Sequence, residues 1–347
     1  MATAQPITII GGGLAGLTLG IGLRQRAVPV TILEAGKYPR HRVCGEFISG
    51  RGQATLARLG LEELLTDLGA VRASTTAFFT EKCVGAPHPL PTPAVCISRF
   101  ALDAALARHF ENLGGTLRTD QRVNPTDIAV GTVRATGRCV PKATSKSRWF
   151  GLKIHARNVA LTADLEMHFT PHGYVGLGQL AAGEINICGL FRQHTDRSGT
   201  ARNRWDLLRG QPGSPLHARL ATAQFDATSG CAVAGLSLRP QRSAACAEIC
   251  IGDAVTMIPP VTGNGMSMAF ESAEFALAPL VGWSRGELSW AEAREKIIDD
   301  CDRSFAARLF WAQWLQRLVL TSALQHPLHG LAEGSAWFRN RAFAATR

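Results

Sequence analysis

Apolar positions change period along the chain, and the changes divide it into three kinds of segment. Ile7-Thr8-Ile9-Ile10 is a short apolar run of the sort that forms a buried parallel strand, and from Leu14 onward apolar residues return at helical spacing. A second apolar strand is expected over 28–33. A helix is expected around Gln53 to Leu68, with leucines at 56, 59, 61, 64, 65 and 68. Phe78, Phe79 and the proline-rich stretch from Pro87 to Pro93 read as an excursion away from the first sheet. The chain returns at Arg99 into a helix holding Leu102, Leu106 and Phe110; Gly114-Gly115 ends it, and 116–123 can rejoin the sheet. From about 148 to 235 the period becomes two. Leu152, Ile154 and Ala156 alternate with Lys153, His155 and Arg157; Leu165, Met167 and Phe169 alternate with Glu166 and His168; Ile185 and Ile187 alternate with Asn186 and Cys188. That pattern predicts an antiparallel sheet with one buried face and one polar face. Re-entry to the first domain is expected near 247, followed by helices, and no internal repeat or low-complexity segment interrupts the chain.

Composition fits this division: 347 residues at 46% hydrophobic and 18% charged are enough for two domains with real cores. Met1 to Pro6 lack a basic n-region and an apolar h-region, so no export signal is expected and a cytoplasmic location is. Nine cysteines, an odd number without zinc-like CxxC pairs, suit reduced thiols, and no metal site is expected. Cys246 and Cys250 read as small apolar strand residues. The net charge of +10 implies attraction to anions. Its basic residues are scattered without a recognition motif, which argues against nucleic acid. Residues 301–347 carry six arginines interleaved with Phe310, Trp311, Trp314, Leu315, Leu318 and Leu320, a basic amphipathic pattern. Packing against its own domain is the first expectation and peripheral membrane contact the second; the run is too short to span a bilayer. The oligomeric state is not legible.

The chemistry begins in the turn after the first strand. Gly11-Gly12-Gly13-Leu14-Ala15-Gly16 follows Ile10 directly, and an acid stands eighteen residues beyond Gly16, at Glu34. Glycines there let the backbone approach a pyrophosphate at a helix N-terminus, while Glu34 is placed to accept hydrogen bonds from a ribose. A second motif, Ile249-Cys250-Ile251-Gly252-Asp253, precedes Pro259-Pro260-Val261-Thr262-Gly263-Asn264-Gly265-Met266. Asp253 at the end of an apolar strand can meet a ribityl hydroxyl. The Gly263-Asn264-Gly265 turn can present N–H groups to a flavin pyrimidine, and the helix from Met266 can turn its positive end to the N1/O2 edge. The two motifs together specify FAD. The expected fold class is therefore α/β: a Rossmann-like FAD-binding domain (1–72, 95–147, 240–290), an inserted antiparallel β-sheet substrate domain (73–94, 148–239) and C-terminal helices (291–347).

With Arg42-Val43-Cys44-Gly45-Glu46-Phe47-Ile48-Ser49 and Ile97-Ser98-Arg99 with Asp103, these motifs give the chain a resemblance to a flavoprotein superfamily. It holds the p-hydroxybenzoate hydroxylase-like aromatic monooxygenases and the geranylgeranyl reductase-like flavoproteins, and the resemblance spans roughly residues 5 to 290. It implies that Arg42 and Arg99 run along the FAD phosphates and ribityl chain, that Cys44 to Glu46 lie near the isoalloxazine, and that the antiparallel sheet roofs the flavin. The Cys-Gly-Glu-x-x-Ser run looks more like the reductase branch. Ala135-Thr136-Gly137-Arg138 stands where hydroxylases usually carry Asp-Gly, which leaves NAD(P)H open as electron donor. Gly173-Tyr174-Val175 keeps only the tyrosine of the reductases' lipid-channel motif, and the halogenases' Trp-x-Trp-x-Ile-Pro is absent.

Candidates for chemistry are fewer. Cys44 is a flavin-adjacent thiol or an inert buried one, Glu46 a proton-steering acid or an i+4 partner of Arg42, and Tyr174 a phenol donor or an ordinary strand aromatic. His155, His168 and His172 are weaker acid or base candidates, and Arg99 also suits a helix salt bridge with Asp103. The expected activity is monooxygenation of a hydrophobic small molecule, phenolic or polyketide-like, of the kind met in secondary metabolism. The alternative is flavin-dependent reduction of a carbon–carbon double bond.

Overall fold

The computed structural model describes residues 4–124, 129–138, 148–193, 204–236, 238 and 241–347. The expected boundaries at 147 and 239, and the first three residues of the N-terminus, lie outside them. In chain order the first half holds β1 (Ile7–Ile10), α1 (Leu14–Arg24), β2 (Val30–Leu33), β3 (Phe47–Ile48), α2 (Gly50–Arg58), α3 (Glu62–Asp67), β4 (Val71–Phe79), β5 (His88–Cys96), α4 (Arg99–Asn112), β6 (Thr116–Arg118) and β7 (Thr132–Arg134). The second holds β8 (Arg148–Arg157), β9 (Leu165–Thr170), β10 (Gly173–Gln179), β11 (Ile185–Gln193), α5 (Pro215–Arg219), β12 (Gln224–Leu236), β13 (Ile249–Cys250), α6 (Gly265–Ser284), α7 (Trp290–Val319), α8 (Ser322–Gly334) and α9 (Ala336–Ala345).

The first sheet is parallel throughout, in the order β13-β7-β1-β2-β6. Its strands bury Ile7, Ile9, Ile32, Val133 and Ile249 in one core with α1, α4 and α6. The second sheet has the order β12-β8-β11-β10-β9-β4-β5-β3, antiparallel except where β4 runs parallel to β9. The α/β class, the Rossmann-like sheet and the helical end are as the periodicity and motifs led one to expect. β3, however, joins the second sheet from within the 1–72 span.

Two expectations need correction. The single helix around 53–68 is two, α2 and α3, because Gly60 takes φ +67 and closes α2 with a turn in which Leu61 N–H donates to Leu56 C=O. Neither is the polar set of the second sheet a solvated face. Lys153, His155, Glu166, His168 and Asn186 are all buried. The register explains why: Met167, Gly176, Cys188, Lys153 and Cys231 form one row across β9-β10-β11-β8-β12 and so point to one face. The apolar positions of β9 thus lie on the same face as the polar positions of β8 and β11. That face looks toward the first domain. The other face, with Leu152, Ala156, Val175 and Ile187, packs under Leu208, Leu216 and Leu220.

The C-terminal helices pack first and expose second. α7 starts on a capping box, Ser289 Oγ accepting from Glu292 N–H and the Glu292 carboxylate accepting from Ser289 N–H. Ala293, Ile297, Cys301, Phe305, Leu309 and Ala312 face the common core. Arg308 clasps buried Glu271 of α6 through two bonds of 2.8 and 2.6 Å. Among the described residues no helix is long and apolar enough to cross a membrane.

Candidate active site and cofactor cleft

Between the parallel sheet and the face of Lys153 lies a cavity of about 1100 Å³. At one end the β1–α1 turn enters it. Gly11 has φ +107, and a Cβ there would stand 2.3 Å from the Ala135 carbonyl; a Cβ on Gly16 would stand 2.0 Å from the carbonyl of Gly11. These two glycines close the strand–helix packing. Gly13 differs: its φ of −84 and ψ of −172 suit any residue, yet a Cβ there meets nothing within 4 Å. It faces open cavity at the N-terminus of α1, where a pyrophosphate would need the space. Gly11, Gly13, Leu14, Ala15, Glu34, Arg42, Arg99, Asp253, Pro260, Gly263, Gly265 and Met266 all line the cavity, as do Cys44, Glu46 and Tyr174. Gly16, Gly252 and Asn264 stand behind its wall. Gly252 N–H donates to Ser272 Oγ, and the Asn264 side chain is spent on Ser49 Oγ and the Thr346 carbonyl, so these residues shape the wall rather than form it.

Charge is concentrated around the turn. The Glu34 carboxylate accepts N–H groups of Gly12 at 2.7 Å and Gly36 at 2.9 Å, and Arg40 at 2.6 Å. Tyr38, which sequence reasoning did not single out, donates its phenol to the Gly12 carbonyl. Arg99 is bidentate to Asp103 at 2.7 and 2.8 Å, and Arg42 reaches the same carboxylate at 3.2 Å. Burial alone would lower the Arg99 pKa, but the Asp103 carboxylate overrides it and keeps the guanidinium charged. Three guanidinium nitrogens of cavity-lining residues are buried without a partner: Arg40 Nε, Arg138 Nη1 and Arg347 Nε. Asp253 opens into the cavity with its side chain exposed there, and the surrounding protein walls push its pKa up to about 6 against the pull of Arg99 and Arg138. Unmet cationic donors and an uncovered glycine cradle fit a long, anionic dinucleotide. FAD satisfies that description.

A second cluster joins the domains. Glu46, at φ +57 and without solvent exposure, accepts Arg99 N–H at 2.8 Å and meets His155 Nε2 at 2.7 Å, with Lys153 Nζ 3.3 Å away. Lys153 Nζ lies 3.1 Å from His41 Nδ1, and His155 Nδ1 lies 3.0 Å from Glu184, whose carboxylate is a quarter exposed. A hydrogen-bonded line thus runs from behind Cys44 to the surface. Burial would raise the Glu46 pKa, but His155 and Lys153 hold the carboxyl below its usual range. Its expected partner Arg42 is engaged elsewhere, with Asp103. Lys153, His41 and Glu184 were missed from sequence, since an alternating strand gives no sign that its polar face is covered. His168 lies on the opposite face, held by Glu166 at 2.9 Å and stacked on Phe79.

Nearer the middle, Cys44 Sγ accepts Glu46 N–H at 3.4 Å, and burial pushes its thiol pKa up, away from thiolate character. The remaining roof is apolar: Met167, Phe169, Leu190 and Leu236 surround Tyr174 and pack toward Met257 and Val261 of the β13–α6 connection. Burial raises the Tyr174 phenol well above its usual range, so it stays a donor.

A family model described as an FAD binding domain matches residues 4–139. Squalene epoxidase 6 of Arabidopsis thaliana is 31% identical over 110 residues, 31% of this chain but 20% of the epoxidase, so the chain spans only about a fifth of that relative. Menaquinone reductase of Mycobacterium tuberculosis is 24% identical over 322 residues, covering 78% of this chain and 75% of the reductase. Among solved structures, p-nitrophenol 4-monooxygenase PnpA of Pseudomonas putida superposes with a TM-score of 0.73 at 16% identity, covering 99% of this chain and 98% of PnpA. A geranylgeranyl bacteriochlorophyll reductase-like protein of Thermoplasma acidophilum gives 0.72 at 15% identity, covering 98% and 96%. At such identities the superpositions establish the fold.

Proposed function

We propose that this chain, whose residues 4–139 match an FAD binding domain, belongs to the FAD-dependent oxidoreductases that include the p-hydroxybenzoate hydroxylase-like and geranylgeranyl reductase-like flavoproteins and is a monooxygenase that hydroxylates or epoxidises an apolar, oxygen-bearing small molecule. The observation that carries this reading is the apolar chamber of Met167, Phe169, Leu190, Leu236, Met257 and Val261 around one neutral phenol, Tyr174. Such a chamber binds hydrophobic area, offers one donor to a substrate oxygen and excludes water from the reacting centre. FAD, when bound, supplies the electron and oxygen chemistry.

The chain's own groups have separable tasks in this proposal. Gly13 and the α1 N-terminus receive the pyrophosphate, Glu34 a ribose, Arg42 and Arg99 the phosphate and ribityl region, and Asp253 a ribityl hydroxyl. The Pro260–Met266 turn faces the pyrimidine edge. Glu46 and His155 pass protons between the cavity wall and Glu184, and Cys44 shapes the wall. NAD(P)H is the proposed electron donor, with Thr136 replacing the usual aspartate on the strand that serves it.

A second reading, reduction of a carbon–carbon double bond, is favoured by the menaquinone reductase alignment, which runs through the roof as well as the FAD domain. Labelled oxygen separates the two. Dithionite-reduced holoprotein given ¹⁸O₂ and an apolar phenol should yield product carrying the label. Unlabelled product, with anaerobic reoxidation of the flavin by an alkene or quinone, would replace the first reading by the second.

A further inference from the structure

Among the described residues nine large apolar side chains stand exposed, and six of them, Phe310, Trp311, Trp314, Leu324, Leu331 and Trp337, fall within one stretch of α7 to α9. Scattered singly they would need no explanation, but this concentration does. Phe310, Trp311 and Trp314 form one aromatic group, with ring centroids 5.4 and 6.0 Å apart. They share the outer face of α7, opposite Phe305, Leu309 and Ala312, which are buried. Exposed Arg317 follows Trp314 by three residues on that face, and exposed Arg341 belongs to α9. Downstream of Phe310 the chain carries four arginines, of which Arg339 and Arg347 turn to the cavity and Arg317 and Arg341 are exposed, and the one acid there, Glu333, lies 3.2 Å from His88 and accepts Ala86 N–H.

We propose that the outer face of α7–α9 docks on an anionic lipid bilayer. Tryptophan rings beside arginines suit the headgroup level, where the ring buries its apolar body and the guanidinium meets lipid phosphate. Charge chooses this occupant over a second copy, because two chains of net charge +10 approach with like sign. The inner sides of the same helices line the cavity: Leu328 and Ala332 from α8, Phe338 and Phe343 from α9. Docking would therefore set the cavity wall against the hydrocarbon boundary. This inference does not depend on which flavin reaction the site performs.

The test is co-sedimentation of the full chain, loaded with FAD, with vesicles of phosphatidylcholine alone or mixed with phosphatidylglycerol. Binding should be stronger with phosphatidylglycerol and weaken with salt. Trp311→Ala/Trp314→Ala should lower the partition coefficient by roughly tenfold or more on both vesicle types. Arg317→Gln/Arg341→Gln should lower it on the anionic vesicles only. Melting temperature and flavin occupancy should be unchanged in both variants, showing that the effect belongs to the surface. Absence of vesicle binding, wild-type partitioning of the tryptophan variant, or a wild-type dimer that the tryptophan variant dissociates would overturn the proposal.

Discussion

Asp253 sits in its pocket at a cost, and that cost has a sign. Desolvation raises its folded pKa to about 6, above the unfolded value, so the free protein is relatively stabilised below about pH 4 and loses that stability as pH rises through about 6. Asp253→Asn apoprotein should therefore melt higher than wild-type apoprotein at about pH 8, with the difference gone near pH 4. The same substitution should weaken FAD binding by roughly ten- to a hundredfold through loss of a charge-assisted hydrogen bond. An apoprotein difference of opposite sign in thermal melts would mean that desolvation does not govern Asp253, and unchanged flavin affinity would remove it from the cofactor's partners. At this scale the sequence is informative where backbone sterics decide, as at Gly11 and Gly16, or where an acid closes an apolar strand. It is uninformative about partners that approach from far along the chain. Arg138 beside Asp253, Arg347 on the Thr262 carbonyl at 2.7 Å, and Tyr38 under Gly12 carry no local signature.

Strand register decides the element scale. Alternation in β8, β9 and β11 is plain in the sequence, but which alternate set meets which across the sheet is fixed by pairing, and a shift of one residue inverts a face. The roof is consequently half apolar, from β9 and β10, and half charged, from β8. Its charged half should be strongly coupled. Glu46→Gln leaves Lys153 buried without its carboxylate and should cost about 3–5 kcal/mol, read as a lower urea midpoint at unchanged slope. Glu46→Gln/Lys153→Met should recover most of it. Because the folded Glu46 pKa is depressed, its contribution is present above the usual carboxylate range and fades as pH falls through it. The wild-type advantage over Glu46→Gln should thus hold from about pH 7 down to about pH 5 and shrink only as pH falls below about 4. An additive double variant in these titrations would mean that the two charges do not act as a pair.

The whole molecule places two functions at one boundary. The parallel sheet offers the C-terminal ends of β1 and β13 to the cavity, the position expected of an α/β dinucleotide site, and the second sheet covers it. That arrangement was legible because strand–glycine–helix and strand–Gly–Asp motifs report their own context. The third wall of the cavity was not: α8 and α9 contribute Leu328, Phe338 and Phe343, and an amphipathic pattern alone does not say what its inner face meets. The break at Gly60 escaped notice for a similar reason, since leucines continue at helical spacing through it.

FAD lying across the Gly13 turn needs the space above that glycine, and Gly13→Val removes it. Gly13 has ordinary backbone angles and no neighbour at its Cβ position, so valine should leave the fold intact and fill only the space meant for the pyrophosphate. Flavin content and apoprotein melting temperature, measured together on wild type and variant, decide the matter. Wild type should hold one FAD tightly and Gly13→Val none, at equal apoprotein melting temperatures. Normal flavin occupancy in Gly13→Val, or a wild-type protein that takes up no FAD on reconstitution, would contradict it.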